Sequence, residues 1–272
     1  MINPIEYIIV IPSYKRSESI GLNTLKVLNE KKVPASKIFI FVANENEEMD
    51  YLDNVDKNLY NKIIIGKLGL KNQRNFITKY YPENTYIVEC DDDLKEISYL
   101  QNGIGETRVD IQKTNKLYPM EDMDKFFKEA YTRLIDNKSY IWGIYPVHNA
   151  FFLSDKITTD LRFLVGPMFG KINRHNPDLL LELDEKEDVE RTLRHYKLDG
   201  SVIRYWNVTI KTNYYKNKGG MQSENKDRYL EAEKSANYLI SIFPEYTKKW
   251  YKGVKQRPEI KLIAKKKSKY IV

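Results

Sequence analysis

The chain has a single cysteine, Cys90, in 272 residues, which excludes an internal disulfide and fits a reducing compartment. Histidine is scarce as well. His148, His175 and His195 are far apart and show none of the short spacings of a zinc site, so any of them joins a metal only through the fold. No apolar run approaches the length of a membrane span. The opening Met1-Ile2-Asn3-Pro4 has neither the basic flank nor the apolar core of a signal peptide. There is no internal repeat and no low-complexity linker in the body. These absences predict a soluble, cytoplasmic protein without a membrane span, built as one large domain or as a domain with an appendage.

Charge is plentiful but uneven. The net charge is +7, yet residues 245–272 hold ten Lys and Arg against two Glu, leaving about −1 for everything before them. A near-neutral body with a basic end points to a polyanionic partner, nucleic acid or an anionic membrane surface, or else to a solubilising tail. Trp250, Tyr251 and Tyr270 lie among those charges and suit stacking on bases or packing on the body.

The most informative stretch is Thr85–Leu94. Tyr86-Ile87-Val88 has the composition of a buried strand and leads into Asp91, Asp92 and Asp93. Three adjacent carboxylates cannot be buried without positive charge among them. At a strand end they form either a solvated acidic turn or a seat for a hard divalent cation, whose shell is commonly completed by phosphate oxygens and water. A nucleotide diphosphate is the ligand such a seat implies. Alternation along the extended chain turns Asp92 to the opposite side from its neighbours.

The preceding residues alternate strand and helix. Strands are expected at 5–11, 37–43, 62–65 and 85–90. Helices are expected after Ser17 or Ser19 as N-cap, with Leu22, Leu25 and Leu28 at helical spacing, and from Gly66 through Ile77. Such alternation gives a mostly parallel sheet flanked by helices, with every turn named here at its C-terminal edge, where ligands bind in doubly wound folds. Further on, 103–116 has the composition of a polar loop, and Met120 to Leu134 of an amphipathic helix. A strand is expected at 140–147, an interrupted strand or hairpin at 163–171, a short helix at 188–196, a strand at 202–210 and a helix at about 225–242. Lys216–Ser223, with Lys218 and Gly219, is either a mobile cover for a diphosphate or a surface hairpin.

The set Ile9-Val-Ile-Pro-Ser-Tyr-Lys-Arg16, Leu70-Lys-Asn-Gln-Arg-Asn75, Cys90-Asp-Asp-Asp-Leu94 and Glu187-Asp188 resembles the GT-A nucleotide-sugar glycosyltransferases, family 2 in particular, over roughly 5–210. More narrowly, the chain is similar to viral glycosyltransferases associated with Tet/JBP dioxygenases. The resemblance implies a Rossmann-like α/β GT-A domain over 1–223 and a basic helical C-terminal extension over 224–272. It implies a nucleotide-sugar donor, UDP-linked in the first instance, with Mn2+ or Mg2+ as cofactor and a hydroxymethylated pyrimidine in DNA as acceptor. The location is then the host cytoplasm. A family 2-like enzyme acting on a glycan or protein is the alternative. Pro12, Ser13, Tyr14, Arg16, Glu45, Lys71, Arg74, Asp91, Asp92, Lys218 and Gly219 are the implied donor contacts. The family often has Asp where Asn44-Glu45 stands. Asp91 and Asp93 are the implied metal carboxylates, Asp188 the base with Glu187 behind it, and Lys265, Lys266, Lys267 and Lys269 the implied DNA contacts.

Overall fold

The computed structural model describes residues 5–212, 228–253, 256–264 and 270–271. The first part of the chain alternates strand and helix. β1 (Tyr7–Pro12) is followed by α1 (Ser17–Ile20), which passes through a π-type turn at Gly21–Leu25 into α2 (Lys26–Glu30). Asn23 kinks this helical stretch, so Leu25 and Leu28 are buried while Leu22 is 74% exposed. Neither Ser17 nor Ser19 caps it: Arg16 holds the cap position without a side-chain bond, and the Ser19 hydroxyl turns back to the Arg16 carbonyl at 3.3 Å. Next come β2 (Ile38–Val42), α3 (Glu45–Asn54), β3 (Lys62–Ile65), α4 (Leu70–Tyr80) and β4 (Tyr86–Cys90). These four strands pair in parallel in the order β4-β1-β2-β3.

After the aspartates, β5 (Leu94–Gln101) leads to α5 (Arg108–Thr114), which replaces part of the expected polar loop. Thr107 and Asp110 start α5 with a reciprocal capping box, a local signal strong enough to start a helix in polar sequence. Then follow β6 (Lys116–Pro119), α6 (Met123–Asp136), β7 (Ile141–Tyr145), β8 (Ile157–Thr158), β9 (Met168–Ile172), α7 (Glu187–Asp199) and β10 (Ile203–Thr212). Last are α8 (Arg228–Ile242), β11 (Thr247–Lys252), β12 (Arg257–Leu262) and β13 (Tyr270–Ile271). The helix of the C-terminal extension is there, and within the basic segment after it β11 and β12 pair antiparallel.

The central sheet has eleven strands. β9 lies antiparallel between β4 and β7, and β10 is parallel to β7. The C-terminal ends of β1–β4, β7 and β10 therefore share one edge, and the start of β9 joins them. The ribbon β5–β6 pairs along β10, which also carries β8 and through it β13.

Both faces of the sheet are covered, which is why its strands are nearly continuous apolar runs. On one face Ile9, Ile11, Val42 and Val88 pack with Phe126, Phe127 and Leu134 of α6. On the other, Val10, Phe41 and Ile87 meet Ile77 of α4, and Phe169 with Ile141 meets Leu193 of α7 and Leu239 of α8. Packing leaves no room for a side chain at Gly170, where a Cβ would lie 2.2 Å from Nε1 of the fully buried Trp142. Only glycine lets β9 and that ring coexist.

Candidate active site

The loop after β1 is built against the turn after β4. The hydroxyl of Ser13, fully buried, lies 2.5 Å from Asp92 Oδ2 and 2.5 Å from the Tyr51 hydroxyl. That same Tyr51 oxygen accepts the Arg16 N–H at 3.2 Å. The Arg16 guanidinium pairs with Asp92 and stands 3.5 Å from Asp93 Oδ2. Asp92 is buried at 3% exposure with Arg16 as its counter-charge, whereas Asp91 faces Arg74. Because β4 ends at Cys90 and the aspartates form a turn, strand alternation does not hold through them, and Asp92 and Asp93 share Arg16. Pro12 is buried at the strand end, and Tyr14 is half-buried beside Lys15.

The second strand end contributes differently from the expectation. Glu45 is exposed, in the first turn of α3. Asn44 caps that helix by accepting the Glu47 N–H at 3.0 Å, which turns Glu47 inward. Glu47 accepts the Lys15 N–H at 2.7 Å and holds Lys15 in the left-handed conformation, at φ 54°. Glu47 and Tyr51 are the residues that shape this loop. Their spacing of four, one helical turn from a capped start, is the signal from which they could have been read.

Arg74 joins the acidic turn to α7. It lies on α4 at 2% exposure. Its guanidinium reaches Glu89 at 2.8 Å, Asp91 at 3.3 Å, Glu187 at 3.3 Å and the Gly166 carbonyl at 3.4 Å. Lys171 supplies Glu89 with a second cation at 2.7 Å, and Arg191 does so for Glu187 at 2.7 Å. With these cations beside it, the Glu89 carboxyl is held down at about 2 despite complete burial. Lys71, by contrast, sits at the edge of the site: its amine donates to the Glu182 carbonyl at 2.8 Å and its N–H to Asp184 at 3.0 Å.

The segment before β9 completes the arrangement. The Asp91 N–H donates to the Pro167 carbonyl at 2.9 Å, and Gly166 packs directly against Glu187 and Asp188. A Cβ at Gly166 would lie 3.2 Å from Glu187 Oε1 and 3.6 Å from Asp188 Oδ2. Asp91 and Asp188 are therefore fixed to the same two residues, 166 and 167. Lys186, left-handed at φ 65°, turns the chain into α7 and is clamped by Glu259 of β12 at 2.8 Å. Arg257 of the same strand holds Glu185 at 2.7 Å.

Desolvation dominates the charge balance here. It raises the Asp188 carboxyl to about 6, helped by the negative charge of Glu187 and opposed by Arg191 and the N–H groups of Val189 and Gly166. A third of the Asp91 side chain is exposed, yet protein packed around it raises it to about 6 as well, against the pull of Arg74. Burial also raises Asp92 and Asp93. Four raised carboxyls at one edge are a store of negative charge that a cation or a cationic ligand group would relieve.

No protein-family model matches the chain, and no curated protein matches it. Solved structures do share its fold. S. aureus TarS 1–349 in complex with UDP-GlcNAc aligns at a TM-score of 0.58 and 13% identity, covering 88% of this chain and 67% of that one. S. aureus TarS aligns at 0.51 and 13% identity, covering 87% of this chain and 40% of the other. The fold is GT-A-like, with a helix-flanked central α/β sheet.

Among the described residues no group of three or more His, Cys, Asp and Glu side chains is arranged to hold a metal ion. Asp91 and Asp93 each face a protein cation instead, Arg74 at 3.3 Å and Arg16 at 3.5 Å, which leaves at most two carboxylates to offer a hard cation. The histidines stand apart from the aspartates. His195 is buried and pushed down to about 3, first by desolvation; His175 meets the Tyr81 carbonyl at 2.9 Å, and His148 meets Ser98 at 3.2 Å. Cys90 is a buried strand residue whose thiol burial pushes up. Lys218, Gly219, Lys265, Lys266, Lys267 and Lys269 lie outside the described residues.

Proposed function

We propose that the chain is a nucleotide-sugar-dependent glycosyltransferase whose acceptor is a hydroxymethylated pyrimidine in DNA. One observation carries the enzymatic reading: residues 166–167 and Arg74 hold the Asp91–Asp93 turn and the start of α7 side by side at the ligand-binding edge of a GT-A-like sheet. The donor lies across that edge, its base and ribose toward Pro12–Arg16 and its diphosphate toward Asp91 and Asp93. A Mn2+ or Mg2+ ion held by Asp91 and Asp93 supplies positive charge to the diphosphate when bound.

Asp188 is the general base. Its half-buried carboxyl, raised to about 6, is ionised at neutral pH and basic enough to accept a proton. Glu187 is less available, because Arg74 and Arg191 take its two oxygens at 3.3 and 2.7 Å. In a single displacement the acceptor hydroxyl gives its proton to Asp188 as its oxygen bonds to the anomeric carbon. The bond from that carbon to the phosphate oxygen breaks, and the nucleoside diphosphate leaves with the electron pair, inverting the centre.

Support for DNA as acceptor is the basic end of the chain, +8 over 245–272. Lys265, Lys266, Lys267 and Lys269 are the residues proposed to meet phosphates, which position a duplex without reading its sequence. The test incubates the protein with a panel of sugar nucleotides, Mn2+ or Mg2+, and hydroxymethylated or unmodified DNA, followed by digestion and nucleoside mass analysis. A sugar-sized mass gain confined to the hydroxymethylated nucleoside is expected. Sugar nucleotide turnover without any modified nucleoside would move the acceptor to a glycan or protein.

A further inference from the structure

Away from the strand ends, positive charge gathers around one tryptophan. Trp206 of β10 has the Arg204 guanidinium 3.8 Å from its ring centre, the Lys156 amine at 4.0 Å and the Arg162 guanidinium at 5.4 Å. Arg108 at the start of α5 adds to the field: burial first, then Arg162, Arg108 and Arg204, push the Lys156 amine below its usual range. Two carboxylates offset part of this charge. Asp160 pairs with Arg162 at 2.8 Å, and Asp155 accepts the Asn207 amide at 3.0 Å.

A cavity of about 280 Å³ opens beside the cluster, lined by Arg108, Gln112, Asn115, Phe152, Lys156 and Trp206, together with the Asp155 carboxylate. Phe152 is 50% exposed, with the Phe151 ring edge-on to it at 5.2 Å. Cations, amide donors and uncovered aromatic rings in one recess match the two halves of a nucleotide unit, an anionic phosphate and a planar base. The cluster also connects to the site already described. Arg204 donates to the Phe163 carbonyl at 3.3 Å, three residues before the Gly166 that packs on Asp188.

We propose that this recess binds the backbone of a nucleic-acid strand, with Lys156 and Arg108 on phosphate oxygens and Phe152 against a base. The assignment rests on the DNA reading of the acceptor and adds a second contact to it, independent of the lysines near the chain end.

The test is fluorescence anisotropy with a labelled single-stranded oligonucleotide, titrated from about 50 to 200 mM salt. Arg108→Gln with Lys156→Gln should weaken binding at low salt by about tenfold and flatten the logarithmic salt slope by about 1.4, roughly 0.7 per phosphate contact on a single strand. Phe152→Ala should weaken binding with the slope unchanged. Lys156→Arg, which keeps the charge, should bind like the wild type and controls for folding. Hydrolysis of UDP-sugar without DNA should be equal in the wild type and all three variants. Wild-type affinity and slope in the double variant would overturn the assignment. If hydroxymethylated DNA is still glycosylated in that case, the enzymatic reading stands and only the recess is lost. Absence of oligonucleotide binding by the wild type would also overturn it. If binding follows the recess while no DNA is glycosylated, the recess stands and the acceptor reading falls.

Discussion

Arg74→Met removes the cation that ties the acidic turn to α7. The side chain is buried and faces Glu89, Asp91 and Glu187 at 2.8, 3.3 and 3.3 Å. Methionine fills much of the volume, so the cost is electrostatic. Breaking a buried pair costs about 3–5 kcal/mol when the remaining charge has no other partner. Here Glu89 keeps Lys171 and Glu187 keeps Arg191, so the lower end, about 3 kcal/mol, is expected. For a chain of this size that lowers Tm by roughly 6–12 °C. The loss should also depend on pH. Arg74 opposes the upward shift of Asp91, so its removal raises that carboxyl above about 6. A carboxyl whose folded value exceeds its unfolded value favours the folded state increasingly as pH falls through the folded value. The Tm gap between wild type and variant should therefore be widest at pH 8 and narrow below pH 6. Differential scanning calorimetry at pH 5, 6, 7 and 8 measures it. A gap under about 1 °C, or one that widens on acidification, would refute the hub role of Arg74.

Three further outcomes follow. The pH profile of kcat/KM should show an acidic limb near 6, activity falling about tenfold from pH 8 to pH 5 as Asp188 protonates, and a limb displaced below pH 5 would remove Asp188 as the base. Glu259→Gln leaves the buried Lys186 without its charge partner, so it should cost about 1 kcal/mol of stability and lower turnover more than donor affinity; an unchanged kcat would detach β12 from the site. Asp93→Asn should fold normally but transfer sugar poorly, and full activity of that variant in excess chelator would eliminate the proposed cation.

Much of the fold was legible because its signals are local. The apolar runs of β1–β4 ending in polar turns, and the 3.6 period of α6, gave elements that the structure shows. The aspartate turn and the Glu187-Asp188 helix start were legible for the same reason. What escaped depends on contacts distant in sequence. Arg74 is expected at the donor, but its place between Glu89 and Glu187, 15 and 113 residues away, appears only when β4 and α7 bring them to it. Glu47 was missed because the Asn44 cap, which sets the helix phase and turns it inward, shows only in the fold. The pairing of β11 with β12 was hidden by lysine-rich sequence, since Ile260 and Leu262 find their apolar partners in the cluster built on α7 and α8. The cation cluster at Trp206 is assembled from three separate segments, and no spacing announces it.

The most direct measurement compares donor binding with turnover in Asp188→Asn. Calorimetry gives the affinity for UDP-sugar, and single-turnover assays with acceptor give the rate per bound complex. The account predicts affinity close to wild type and a rate lower by about 10²-fold or more. Weakened affinity with an unchanged rate per bound complex would make Asp188 a binding or structural residue and contradict the proposed chemistry.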